Sequence, residues 1–326
     1  DASSVAYSGL ISGDTFNGTY TGAFSDKNVG TGKTVTITPS YSGADVSNYS
    51  ITNHADVTAN ITARSLTVSG VTASDKTYDS TVTATMDGSS AVYSGFVSGD
   101  DFTGSYSGVF ANANVANGKT VTITSSYSGA DVSNYNITDQ TSTTANISAK
   151  ALTATASASN KVYDGSSAAT STLTLSGLVG SETVTSTNSS TFNNKNAGTR
   201  KTVTVNSITL ADGSNGGLAA NYSISTGQTT TANVTAKALT VSGITASNKV
   251  YDSTTNAIIV LSFSGLIGSE TINNTNSSTF DNKNIGIGKT VTVNSLSLVD
   301  GSNGGLAANY SISSGQTTTA NVSARP

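Results

Sequence analysis

The chain has 326 residues, 15 Lys+Arg against 19 Asp+Glu for a net charge of -4, and only 10% charged against 35% hydrophobic residues. That balance excludes a disordered polyelectrolyte and a basic nucleic-acid-binding stripe, and no apolar run approaches the roughly 18 residues that span a bilayer, so neither nucleic acid nor membrane insertion is expected. Cysteine is absent, which rules out a disulfide framework, and Val, Ile, Leu and Ala spread thinly among Thr, Ser, Asn and Gly suit many short strands with small cores better than one large core.

Self-similarity sets the organisation. Lys-Thr-Val-Thr recurs at Lys33, Lys119, Lys201 and Lys289, Asn-Tyr at Tyr49, Tyr135, Tyr222 and Tyr310, and Ala-Asn at Asn60, Asn146, Asn233 and Asn321. The three anchors agree on one unit, giving a truncated repeat at 1–63, repeats at 64–149, 150–236 and 237–324, and the start of a next repeat at 325–326. The fold class expected is all-β, a linear tandem array of small β-sandwich-like modules; β-grasp-like modules with one short helical turn are the alternative.

In chain order, residues 1–63 contain the only histidine, His54. One histidine in one unit of four builds no Ser-His-Asp or metal cluster, so it reads as an exposed loop residue. Within 64–149, residues 119–124 alternate Thr with Val or Ile at the period of a half-buried strand, and 143–154 reads as strand straight through the unit boundary, without a Gly-Ser or Pro-rich linker. Six or seven such strands fit each unit. Directly joined units predict a stiff, extended rod rising about 40 Å per unit. Asp212-Gly-Ser-Asn-Gly and Asp300-Gly-Ser-Asn-Gly supply turns; with one carboxylate each they read as Gly-rich turns and not calcium loops. Leu306-Ala307-Ala308 and its partner in the preceding unit read as one short helical turn.

The remaining recurrent segment is Lys-x-Tyr-Asp, at 76–81, 161–166 and 249–254. Tyr78, Tyr163 and Tyr251 supply the largest core side chains of a Trp-free module, while Asp79, Asp164 and Asp252 start turns by accepting from backbone two residues on. Only Asp164 is followed by Gly; Ser80 and Ser253 stand there in the other units, which predicts a turn of different shape. At these residues the chain resembles, over essentially its whole length, the YDG and MBG-type tandem repeats of large bacterial surface adhesins, often hemagglutinin-like and two-partner-secreted. The resemblance implies a non-enzymatic stalk or matrix-contacting role. One Met, no Trp, no Cys and abundant Ser, Thr, Asn and Gly fit export to the cell surface.

Each complete unit also carries a Lys, an Asn and an acid of the kind that form intramolecular isopeptide bonds: Lys76, Asn146 and Asp100; Lys161, Asn233 and Glu182; Lys249, Asn321 and Glu270. Carboxylate pairing for glycoside hydrolysis is not expected, because the acids are sparse and sit beside turn residues. No cofactor or metal is assigned. The expected partners are neighbouring repeats of the same chain, with two rival readings. One is a filament subunit whose open strand edge, at Asp1 or Pro326, an identical molecule completes; the other is a module holding polysaccharide or host glycan on exposed Tyr and Asn/Gly loops. An ice-binding face of Thr-x-Thr strands is a weaker reading, since any strand with a solvated face shows that pattern.

Overall fold

A computed structural model describes residues 4–326 and shows an all-β chain whose only helical elements are single 3-10 turns, at Val46–Asn48, Val132–Asn134, Ala219–Asn221 and Ala307–Asn309. The expected edge at Asp1 lies outside the described residues. By contact density the chain divides into two compact units, Asp1–Ser148 and Ala149–Pro326, each built from the same module.

The third repeat shows the module in full. Its first strand, Lys150–Ala158, lies between Ser171–Ser176, antiparallel, and Tyr222–Ile224, parallel. A second sheet is built on a long hairpin, Val184–Phe192 with Gly198–Asp212. The last strand, Thr229–Thr235, adds to this hairpin antiparallel, and two-residue strands at Lys161–Val162 and Ala168–Ala169 close the two edges. Strands therefore exceed the six or seven expected, because segments of two residues carry no readable period. The same five-stranded order recurs around Ala116–Ser128 and Gly286–Asp300. Threonines face out while Val121, Val203, Val205, Val291 and Val293 are fully buried beneath them.

The last strand of one repeat and the first of the next are nearly continuous. Only Ala149 separates Ser142–Ser148 from Lys150–Ala158, and only Ala236 separates Thr229–Thr235 from Lys237–Ala238. The gap from Val57–Ile61 to Arg64–Ser69 is residues 62–63.

The long hairpin's second strand slips register between Gly198 and Lys201, and likewise before Lys33, Lys119 and Lys289. At this bulge the backbone turns left-handed, at Gly32 (φ 62), Gly118 (φ 60), Arg200 (φ 50) and Gly288 (φ 64). The amide N–H there donates to the side-chain oxygen of Asn60, Asn146, Asn233 or Asn321, at 2.7–2.8 Å. The Ala-Asn anchor is thus a cap for a β-bulge. Arg200 alone holds the left-handed position without being glycine, a conformation that crowds its Cβ. Arg200→Gly is expected to stabilise the chain by roughly 0.5–1 kcal/mol, read as a raised unfolding midpoint.

Candidate functional site

The Lys-x-Tyr-Asp segment forms one stapled turn. In the third repeat Asp164 Oδ1 accepts from Ser166 N–H at 2.9 Å while Lys161 Nζ reaches Asp164 at 2.8 Å and the Ser166 and Ala168 carbonyls at 2.8 and 2.9 Å. Lys76 with Asp79 and Lys249 with Asp252 repeat it. Ser80 (φ 64), Gly165 (φ 78) and Ser253 (φ 63) share one backbone conformation. The expected difference in turn shape is therefore absent, because the staple imposes the left-handed residue on serine.

The isopeptide triads are not assembled. Their lysines are held in this turn and their asparagines at the bulge, where Asn146, Asn233 and Asn321 also donate backbone N–H to Asp75, Asn160 and Asn248. Their acids sit elsewhere: Asp100, Glu182 and Glu270 accept from the hydroxyls of Tyr135, Tyr222 and Tyr310 at 2.6–2.7 Å. The turn aspartates Asp212 and Asp300 spend an oxygen on the backbone N–H of Ala219 and Ala307, each at 2.7 Å, which fixes the start of the 3-10 turn. His54 is exposed, between strands.

Two of those acids, Asp100 and Glu270, lie at a joint between consecutive repeats of one compact unit. Between the third and fourth repeats, Glu270 is only 7% exposed. Its Oε1 accepts from Tyr163 OH at 2.7 Å and from Lys195 Nζ at 2.9 Å; its Oε2 accepts from Tyr310 OH at 2.7 Å. The rings of Tyr163 and Tyr310 meet edge to face at 5.5 Å. Beside them, fully buried Asn309 accepts from Ala197 N–H at 2.8 Å and donates to Asn196 Oδ1 at 3.1 Å. One apolar cluster continues through the joint, with Tyr163, Phe192, Val203 and Val234 from the third repeat and Leu239 and Tyr310 from the fourth.

The first and second repeats meet through corresponding residues. Lys27 Nζ binds Asp100 at 2.7 Å and Asp131 at 2.8 Å, Val29 N–H donates to Asn134 Oδ1 at 2.9 Å, and Asn134 Nδ2 donates to Asn28 Oδ1 at 3.2 Å. A cleft of about 190 Å³ at this joint is lined by Lys27, Ile61, Thr62, Asp100 and Tyr135.

The gripping loop joins the two strands of the long hairpin and is shaped locally. Asx turns at Asp26, Asn194 and Asn282 set its curvature, and the Lys-Thr-Val-Thr lysines brace it from inside: Lys33 binds Asp26, Lys201 binds Asn194, and Lys289 binds Asn282. Lys27, Lys195 and Asn309 were missed by sequence reasoning. The signal for the lysines is the recurrence of Lys-Asn-x-Gly at 27–30, 195–198 and 283–286, and that for Asn309 is the Asn-Tyr anchor to which it belongs.

Burial acts to raise the Glu270 pKa, but the donors Tyr310, Lys195 and Tyr163 together outweigh it and hold the carboxyl below its ordinary value. The Glu270 carboxylate in turn raises Lys195, while burial and then the same carboxylate push Tyr310 up to about 12. A carboxyl depressed in the folded state contributes stability above its unfolded pKa and loses it as pH falls through the folded one. The chain is expected to lose more unfolding midpoint below about pH 4.5 than a Glu270→Gln variant does, checked by thermal unfolding across an acid series.

Fold and joint together define a tandem all-β repeat protein whose units dock through a recurrent polar clamp. The chain belongs to the YDG domain family, whose model matches residues 1–59, 62–144, 148–232 and 235–320. A search of curated proteins gives no match. Among solved structures the I9-I11 tandem from titin is similar at 9% identity, covering 78% of this chain and 99% of that one with a TM-score of 0.20, too low to carry an argument.

Proposed function

We propose that the chain is a load-bearing stalk region of a secreted bacterial adhesin or surface filament, holding an adhesive tip away from the cell, with no catalytic activity of its own. The joint at Glu270 carries this reading. A flexible array needs only a linker, whereas here a buried carboxylate with three donors, an asparagine pair and a continuous apolar cluster fix one repeat on the next. Within each compact unit the strand ends at the joint, Val57–Ile61 to Arg64–Ser69 and Thr229–Thr235 to Lys237–Ala238, are separated by two residues and one residue, which adds to the restraint. Thr- and Ser-covered outer faces keep the repeats hydrated, and no described helix is long and apolar enough to cross a membrane.

Small-angle scattering with sizing on the 326-residue chain tests the stalk. A maximum dimension that stays fixed on dilution is expected, with a broader distance distribution for Glu270→Ala. A wild-type chain that flexes as freely as that variant overturns the reading.

A further inference from the structure

The fourth repeat departs from the third along one strand. In the third repeat Ser171–Ser176 is an edge strand, paired among the described residues with Lys150–Ala158 on one side only. Side chains close its other side: Ser171 Oγ donates to Asn188 Oδ1 at 2.6 Å and meets Ser190 Oγ at 2.6 Å, while Asn188 Nδ2 covers the outward Ser171 carbonyl at 3.3 Å. Thr170 and Thr172 keep the exposed outer face polar.

The matching strand of the fourth repeat, Ile259–Ser264, likewise pairs on one side only, with Thr240–Ala246. Here Ile258, Ile259 and Val260 stand in the places of Thr170, Ser171 and Thr172. Isoleucine removes the hydroxyl on which the closure rests. Ser278, the counterpart of Ser190, has a buried hydroxyl without a partner, and Asn276, the counterpart of Asn188, donates to Asn274 Oδ1 at 3.0 Å instead. The outer face now carries Ile258 at 73% and Val260 at 65% exposure. That exposure belongs to the repeat itself, since Thr170 and Thr172 are also exposed in the third repeat, which has the fourth docked on it. Edge strands are ordinarily guarded by a charge, a proline or a short length. The second repeat has Asp87 at the place of Val260, in a strand of two residues, whereas no charged residue stands between Asp252 and Glu270 in the fourth.

We propose that Ile259–Ser264 is a pairing edge, and that its partner is the same strand of a second copy of this chain, antiparallel across a two-fold axis. The Ile258 carbonyl accepts from Ser247 N–H at 2.9 Å, so by alternation the main-chain groups of Ile259 and Leu261 point to the open side. A two-fold at Leu261 lets each strand give and take the same bonds, and it sets the two Val260 side chains as diagonal neighbours on the outer face. Because the run from Asp252 to Glu270 is uncharged, two copies meet without repulsion, whereas a charged partner finds no counter-charge. An edge of six residues with two exposed apolar side chains per copy is small against the roughly 1,000 Å² of a stable complex. The pairing is therefore weak in free solution and strengthened where chains are held side by side. This goes beyond the stalk role, which needs no contact between chains.

Sedimentation equilibrium of the whole chain from micromolar to millimolar concentration tests it. A monomer–dimer equilibrium in the high-micromolar range is expected. It is weakened about tenfold or more by Ile258→Thr with Val260→Thr, which restores the outer face of the third repeat, and by Val260→Asp, which supplies the charge of the second. Both positions are exposed, so neither variant is expected to lower the unfolding midpoint. Hydrogen exchange of the unaltered chain is expected to slow at Ile259 and Leu261 as concentration rises. A chain that stays monomeric at millimolar concentration overturns the proposal and leaves the edge to an unlike partner. So does a dimer that the variants do not weaken, or one that forms without protection at Ile259 and Leu261. The stalk is tested below that concentration range, where the chain is a monomer, so the two readings stand or fall separately.

Discussion

Glu270→Ala is expected to destabilise Ala149–Pro326 by roughly 3–5 kcal/mol, the range for breaking a buried charged network from one side. The loss is large because the partners remain. Tyr163 OH, Tyr310 OH and Lys195 Nζ converge on the two carboxylate oxygens, and without them the two buried hydroxyls keep their desolvation cost with no acceptor, while the partly exposed Lys195 turns to water. Glu270→Gln keeps an acceptor oxygen of the same shape and is expected to fall between. Denaturant unfolding gives the comparison, with Asp281→Ala as the reference: the Asp281 side chain is 47% exposed, and its partner Lys289 keeps the Asn282 side-chain oxygen as an acceptor, so removing that carboxylate leaves no buried group unpaired. An effect of Glu270→Ala no larger than that of Asp281→Ala would show that the joint is solvated and the clamp incidental.

The repeat period, the all-β class and the alternation of Thr over Val were legible because each rests on a local periodicity. Residues 119–124 bury Val121 and Ile123 at the spacing the sequence displays. The joint was not legible in the same way. Glu270 lies 107 positions from Tyr163 and 75 from Lys195, and nothing within one unit indicates that an acid of one repeat completes a hydroxyl of the one before. Grouping Lys, Asn and acid within a repeat brought together residues that the fold sends to three places: a turn staple, a bulge cap and a joint. The bulge explains the error for asparagine. A residue that recurs once per unit on the last strand suggests reactivity, but it recurs because each left-handed bulge amide requires an acceptor. The serines at Ser80 and Ser253 misled differently: turn propensity favours glycine at positive φ, and the Lys-Asp staple overrides that preference.

The same motif residue is expected to carry different weight in different repeats, and Tyr163 and Tyr251 make the comparison within one chain. Tyr163 is 1% exposed, with Tyr310 edge-on against its ring and Glu270 on its hydroxyl. Tyr251 holds the same place after its lysine, with its N–H on the Ser323 carbonyl, yet it is only half-buried. In the same repeat Ile285 is 61% exposed, whereas the matching Ala197 is half-buried, with its N–H on Asn309. Tyr163→Ala therefore opens a cavity inside a filled joint and is expected to cost about 3–5 kcal/mol, whereas Tyr251→Ala removes a ring already open to water on one side and is expected to cost less than half as much. Tyr163→Phe separates packing from hydrogen bonding: it keeps the ring contact and is expected to cost roughly 1.5–3 kcal/mol for the lost bond to a charged acceptor. Equal losses for Tyr163→Ala and Tyr251→Ala, measured by denaturant unfolding of the whole chain, would mean that the tyrosine serves only the core of its own module. A loss concentrated at Tyr163 makes it the residue through which the third repeat stabilises the fourth.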